Sequence, residues 1–417
     1  MLTYLIKTTE GLLLAAIMLG LMLSFAKVAF EKKGQKTVLI GTVMGLAASV
    51  GMSVLKNTTG KIDTGRWNLR IFAVSLIAFI VFLIFSVKVI RKKTKRVGDW
   101  AQWVSLAVLA FTAILYALPD VWAYPYSFLL AEETFFASAY LYKLIGYLLG
   151  IILVFIVGLS VCMNSYRLGT GAAGLFLKLI LLLNAIRQLM VGLQIMLAKR
   201  MITSNHTLFT IAKFSSNHSD SFIYGAMLLV AVMPVILWIR SFHVREPYAN
   251  PAEHRKIRGK WRKTRKWATT AIAALLLSLM NLTVVRVIDS REVTLSPVED
   301  ALIRDGNVYV TFEQVADGHL HRFGYVTEAG TEIRFIVIKK PNSSAYGVGL
   351  DACDICGETG YYEKDGQVVC KLCDVVMNIN TIGFKGGCNP IVIDYHIADG
   401  NIIVPIDSLV EYESEFK

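Results

Sequence analysis

The sequence predicts a polytopic α-helical membrane protein of about eight transmembrane helices, followed by a small β-rich, Cys-rich metal-binding domain. Three observations predict it. Of 417 residues, 55% are hydrophobic and the mean hydropathy is +0.53, more apolar than soluble chains usually are. The apolar residues crowd into long runs within residues 1–289, whereas 290–417 has an ordinary soluble composition. Five of the six cysteines fall between Asp351 and Pro390. The chain thus divides into a helical transmembrane domain, 1–289, and an extracytoplasmic Cys-rich domain, 290–417.

A bilayer is crossed by about 20 apolar residues in a helix. Eight windows qualify: Gly11–Phe30, Thr37–Leu55, Ile71–Ile90, Ala101–Leu118, Leu144–Met163, Leu175–Leu197, Phe222–Ile239 and Ala268–Val285. The opening stretch has no basic segment ahead of a short apolar core and cleavage site, so it reads as a first span rather than a signal peptide. Gly41-x3-Gly45 and Gly146-x3-Gly150 are spaced for close helix packing, and Pro234 predicts a kink in the seventh span.

The formal charge of +12 does not point to nucleic acid, because no recognition fold accompanies it. The basic residues sit between apolar runs, where they set orientation. Lys32, Lys33 and Lys36, the Arg91–Arg96 connector, and the stretch from Arg240 to Lys266 all fall on one side, the cytoplasm. The loop with Asp120, Glu132 and Glu133 falls outside, as do the N-terminus and the Cys-rich domain. One loop disagrees: Lys56 to Arg70 is expected outside yet carries Lys56, Lys61, Arg66 and Arg70. The expected location is the cell membrane, with the C-terminal domain extracytoplasmic.

The sixth span carries Asn184, Arg187, Gln188 and Gln194 on one face. Charge at membrane depth faces a bundle interior or wet cavity, and Glu10 on the first span is a candidate partner or cation ligand. Beyond the spans, Val308–Phe312, His319–Tyr325, Glu332–Ile338, Ile391–His396 and Asn401–Ile406 alternate as strands do. Asp305-Gly306, Ala329-Gly330 and Asp399-Gly400 mark turns between them.

The densest chemistry is Cys353-x2-Cys356, then thirteen residues, then Cys370-x2-Cys373. Each Cys-x2-Cys turn aims two thiolates at one ion, and two such turns build a tetrahedral four-sulfur site. Gly357 and Asp365-Gly366 supply the turns. Zinc, iron and an iron–sulfur cluster all accept four thiolates; disulfides or a redox dithiol are the alternative. Cys388 is a further ligand, a replacement or a free thiol. His319 and His321, two apart on a strand, project to one face. With Met377 and Cys388 they form a second candidate set suited to copper or iron; the plainer reading is a pair of surface histidines. Cys162 in the fifth span reads as a small buried apolar residue.

Asp317-Gly-His-Leu-His-Arg-Phe, Phe335-Ile-Val-Ile-Lys-Lys-Pro341, Gly349-Leu-Asp-Ala-Cys-Asp-Ile-Cys-Gly357 and Met377-Asn-Ile-Asn-Thr-Ile-Gly-Phe-Lys-Gly-Gly-Cys-Asn-Pro390 together resemble the FtrD-like family of bacterial membrane proteins, described as iron–sulfur containing. The resemblance implies a cluster or iron at Cys353, Cys356, Cys370 and Cys373, and a role in ferrous-iron uptake. It implies as partners a ferric permease, a periplasmic iron-binding protein and a cupredoxin-like oxidase. A fainter similarity links Glu10-Gly-Leu-Leu-Leu to the Arg-Glu-Gly-Leu-Glu helix of ferric permeases; Thr9 and Leu13 replace its Arg and second Glu.

Three functions are therefore set against one another. The first is an electron-transfer accessory of iron uptake. The second is a metal-ion permease subunit, with a pore along Glu10 and the polar face of the sixth span. The third is a zinc-stabilised docking domain. None of the seven histidines lies within a span to bind a membrane haem, and no P-loop, nucleophile elbow or His-Glu-x2-His motif is present.

Overall fold

The computed structural model describes residues 1–59, 62–87, 95–128, 138–203, 205–244, 246–290, 294–341, 343–364, 366–373, 375–384 and 388–416. Lys61, Arg91–Thr94 of the basic connector, Glu132, Glu133, Asp365 and Gly386-Gly387 lie outside them. The chain forms two compact units, Met1–Ser290 and Arg291–Lys417.

The first unit is helical: α1 (Leu2–Thr59), α2 (Thr64–Ser86), α3 (Lys95–Ala123), α4 (Ser138–Leu168), α5 (Thr170–Ala198), α6 (His206–Asn217), α7 (Ser221–Arg240) and α8 (Pro251–Met280). The last continues through a π-helical stretch, Asn281–Val285, into α9 (Arg286–Asp289). Among the described residues, eight segments are long and apolar enough to cross a membrane. Apolar side chains such as Ile77, Phe155 and Leu228 are 63%, 67% and 73% exposed; they form the surface that lipid covers.

Two expected spans belong to one helix, α1, yet that helix reverses direction near Gly34. Tyr4 meets Tyr124, just past the end of α3, and Phe30 meets Trp103 near its start, an antiparallel course. Further along, Gly41 abuts Ala107, Gly45 abuts Phe111 and Ile114, and Ser49 accepts from Trp122, a parallel course. Around the reversal, a Cβ on Gly34 would lie 3.2 Å from the Ala26 carbonyl oxygen, eight positions back, which a straight helix does not permit. The expected turn at Glu31–Lys36 is therefore made within helical backbone. Gly41 and Gly146 allow the closest approaches: a Cβ on either would strike the backbone of Ala107 or Met1.

Two connectors differ from expectation. The stretch before the seventh span contains α6, capped by Asn205, whose side chain accepts the Leu208 N–H at 2.8 Å. The basic stretch ending at Lys266 is mostly helix. Asn250 caps it, Pro251 opens it, and long charged side chains are good helix formers, so α8 starts well before the apolar window. The loop whose charge disagreed with its expected side is partly neutralised. Lys56 pairs with Asp120 at 3.1 Å, and Asp63 holds both Arg66 and Lys199.

The described residues of the second unit form three antiparallel sheets. Strands β1 (Leu302–Arg304), β2 (Asn307–Thr311), β10 (Asn401–Pro405) and β9 (His396–Ala398) form one in that order. Strands β3 (His321–Val326), β4 (Glu332–Lys339) and β5 (Tyr346–Leu350) form the second, and β6 (Tyr361–Lys364), β7 (Gln367–Cys370) and β8 (Val376–Met377) the third. Asp305-Gly306 and Asp399-Gly400 take positive φ at both positions (49° and 74° in each), the two-residue hairpin turn that Asp-Gly favours. Ile391–His396 is not a strand. Its backbone is spent elsewhere: Ile391 donates to Ala352 and accepts from Leu350, so strand pairing begins only at His396.

Strand β4 explains why Phe335–Ile338 is uniformly apolar. Phe335 and Val337 enter the main core with Val308, Phe323, Val348 and Ile402. Ile336 and Ile338 enter a second cluster with Cys353, Cys370, Tyr361 and Met377. Both faces of this sheet are buried, and one of them is the wall of the cysteine site.

Candidate metal centre

Two turns and a hairpin assemble the site. At the first turn Cys353 and Gly357 exchange backbone hydrogen bonds at 3.2 and 2.9 Å, and the Cys356 N–H points at the Cys353 sulfur at 3.2 Å. Gly357 has φ +63°, a conformation in which a side chain is strained. The β6–β7 hairpin pairs Tyr361 with Cys370, and Gly366 in its turn has φ +74°. At the second turn Cys370 donates its N–H to Val375 at 3.0 Å, while Lys371 donates to Gly360 at 2.9 Å. That last bond ties the second turn to the chain leaving the first.

The sulfurs gather accordingly. Cys353, Cys356 and Cys370 form one group whose sulfurs lie within 4.8 Å of one another, and Cys356, Cys373 and Cys388 form a second. Four sulfurs about 2.3 Å from a common ion stand about 3.8 Å apart, so these spacings suit a shared ion or a small cluster. Cys373 and Cys388 are 3.6 Å apart, and all six cysteines of the chain are free thiols. Cys388 is placed by Tyr361, whose hydroxyl donates to its carbonyl at 2.7 Å. Cys353 and Cys370 are buried, Cys356 and Cys388 half-buried, and Cys373 exposed.

Electrostatics favours a cation here. Desolvation and the neighbouring thiols push Cys356 well above the usual thiol range, and the same causes push Cys388 up to about 11. Cys370 is also raised, chiefly by burial. Cys373 moves the other way: desolvation opposes its thiolate, but the Val375 N–H and adjacent thiols outweigh that and lower it. Thiols this close cannot all ionise without a bound positive charge. The donor set, all sulfur, fits iron, an iron–sulfur cluster or zinc.

His319 and His321 are not in either sulfur group. The His319 ring bonds to Glu363 at 2.9 Å; His321 bonds to Glu299 through Nδ1 at 3.0 Å and to Asp317 through Nε2 at 2.8 Å. Both nitrogens of His321 and Nδ1 of His319 are thus engaged by carboxylates. Met377 is buried in the cysteine cluster itself. Cys162 is half-buried in α4.

The support of the site lies outside the cysteine motifs. Arg322 and Asp351 form a fully buried pair, and Asp351 accepts the Tyr361 N–H at 2.8 Å. The available signal was an Arg and an Asp inside strand-like, otherwise apolar motifs, where a charge needs a partner.

In the helical unit, Glu10, Asn184, Arg187 and Gln188 do converge, with Tyr116, on one cavity of about 20 Å³, room for a water or so. Arg286 bridges Glu10, at 2.5 Å, and Asp220. Gln194 instead bonds to Ser215 of α6 at 3.1 Å.

Residues 315–416 match the family described as membrane iron-sulfur containing protein, FtrD-like. Comparison with curated proteins and comparison with solved structures each return no match. The chain is a multi-pass membrane protein with a cysteine cluster able to bind metal.

Proposed function

With residues 315–416 in the FtrD-like family, we propose that this protein is an electron-transfer accessory of bacterial iron uptake, anchored by its eight spans. The observation that carries the reading is the gathering of five thiols into two groups sharing Cys356. In this reading Cys353, Cys356, Cys370 and Cys373 hold the centre, which supplies one-electron chemistry when bound. Cys353 and Cys370 seat it against the apolar wall of Ile336 and Ile338. The Cys356 N–H stabilises negative charge on the Cys353 sulfur, a lever on potential. Exposed Cys373 is the edge that a redox partner reaches.

In this reading the C-terminal unit lies outside the cytoplasm, which the basic connectors, expected on the opposite side, support. There it would meet a ferric permease, a periplasmic iron-binding protein and a cupredoxin-like oxidase, the partners that the family resemblance implies. A permease of its own is the weaker reading. The cavity at Glu10 is small and carries Arg187, and Arg286 occupies the Glu10 carboxylate, so a cation would meet positive charge there.

Iron and acid-labile sulfide analysis of the purified full chain, with its visible spectrum, tests the proposal. Iron with sulfide and a coloured, reducible protein is the expected result. A colourless protein with one zinc would replace electron transfer by zinc-stabilised docking.

A further inference from the structure

A second site lies in the helical unit, far along the chain from the thiols and unconnected with their chemistry. At the end of the bundle where α1 reverses and α8 begins, a cavity of about 1780 Å³ opens between α1, α4, α7 and α8. From α1 it is lined by Lys27, Lys32 and Lys33, from α4 by Arg167, and from α8 by Lys256, Lys260 and Lys263. Among the described residues, no carboxylate lines it. Glu246 answers only Lys260, from outside the lining, at 3.1 Å. Seven cations drawn from three helices thus face one space, and like charges so placed repel unless an anion sits among them.

The remaining lining says what kind of anion. Val28, Phe30 and Leu237 give the cavity apolar wall, and Tyr166 and Trp261 stand beside the cations, aromatic types that mark the level of lipid headgroups. Lys27 lies over the Tyr166 ring at 4.6 Å, which holds that ammonium in place. A fully hydrated small anion has no use for the apolar wall, whereas an amphiphile uses both halves. Basic pockets between transmembrane helices on the cytoplasmic side suit anionic lipid headgroups.

We infer that this cavity binds the headgroup of an anionic phospholipid, with the acyl chains along the apolar wall.

Native mass spectrometry of the full-length protein in detergent tests this with three probes: dioleoyl phosphatidylglycerol, dioleoyl phosphatidylcholine with the same chains, and inorganic phosphate. The glycerol lipid is expected to bind at least tenfold more tightly than the choline lipid, and the preference is expected to shrink as salt rises. Each lysine near an anionic surface contributes roughly fivefold, so K256Q/K263Q is expected to weaken the anionic lipid by on the order of twentyfold, with phosphatidylcholine unchanged. K32Q/K33Q, on the other wall, is expected to do the same and serves should the first variant misfold. Lys260 is left intact because it pairs with Glu246. Equal binding of the two lipids, or a preference that survives both variants, would overturn the inference. Displacement of the lipid by an equal concentration of phosphate would reassign the cavity to a soluble anion.

Discussion

Arg322 donates from Nε to Asp351 Oδ2 at 2.7 Å, with the two side chains 1% and 0% exposed. Asp351 stands two positions before Cys353 and also accepts the Tyr361 N–H. Arg322 further donates to Ser296 and to the Tyr361 carbonyl. One buried charge pair thereby joins β3, the entrance to the first cysteine turn and the start of β6.

Removing one partner leaves an uncompensated buried charge, typically at a cost of about 3–5 kcal/mol. Asp351→Asn is therefore expected to lower the urea midpoint for loss of the metal-bound absorbance, and Arg322→Met to do so similarly. A midpoint unchanged in both variants would show that the pair does not support the site.

The two sulfur groups predict unequal roles. Cys356 belongs to both, so Cys356→Ser is expected to abolish stoichiometric metal. Cys388→Ser leaves the four thiols of the two Cys-x2-Cys turns, Cys356 among them, and is expected to retain it. Metal content per chain, measured after identical purification, distinguishes them.

His319 and His321 predict a pH dependence. The bond to Glu363 raises His319; at His321 burial opposes the charge, but Asp317 and Glu299 outweigh it and raise that group also. Folded values above the unfolded value of about 6.5 mean stabilisation that is complete below it and lost as pH rises through the folded values. Asp317 is lowered, mainly by His321; its contribution is present above about 3.9 and is lost as pH falls through its folded value. The C-terminal unit is thus expected to be most stable between these limits. His321→Gln should flatten the decline on the alkaline side of a melting-temperature profile.

Gly349 faces the segment that carries Cys388. A Cβ there would lie 2.8 Å from Pro390 Cβ and 3.0 Å from the Ile391 carbonyl oxygen. Gly349→Ala is expected to cost about 1–3 kcal/mol by overpacking and to displace Cys388 from Cys373. Faster alkylation of Cys388 by a thiol reagent, compared with the parent protein, is the measurement.

Arg286 bridges Glu10 and Asp220 at one end of the bundle. Arg286→Met leaves two carboxylates facing each other. Because the three side chains are about a third exposed, the expected loss is only on the order of 1–2 kcal/mol, read as a lower melting temperature in detergent.

The eight spans were legible because a bilayer demands length and apolarity, both properties of a linear window. The cysteine turns were legible because their spacing and glycines are local. What escaped was set by tertiary contact. The turn at Glu31–Lys36 was expected as a loop, but that helical backbone carries α1 through it shows only in the fold. The segment Ile391–His396 has the apolar content of a strand, but Ala352 and Leu350 claim its backbone. His319 and His321 were expected to share a strand face that suits a metal, but β3 begins at His321, and only the fold supplies the carboxylates beside them.

The thiols are graded in depth, from buried Cys353 and Cys370 to exposed Cys373. An arrangement of that kind has a closed back and an open front. In the proposed reading that front is the way in for metal: an incoming ion would meet the sulfurs of Cys373 and Cys388 before the buried pair. Damage follows the same order: an oxidant meets Cys373 first, and Cys388, 3.6 Å away, is placed to condense with the sulfenate as a disulfide, while the deeper Cys353, Cys356 and Cys370 are spared.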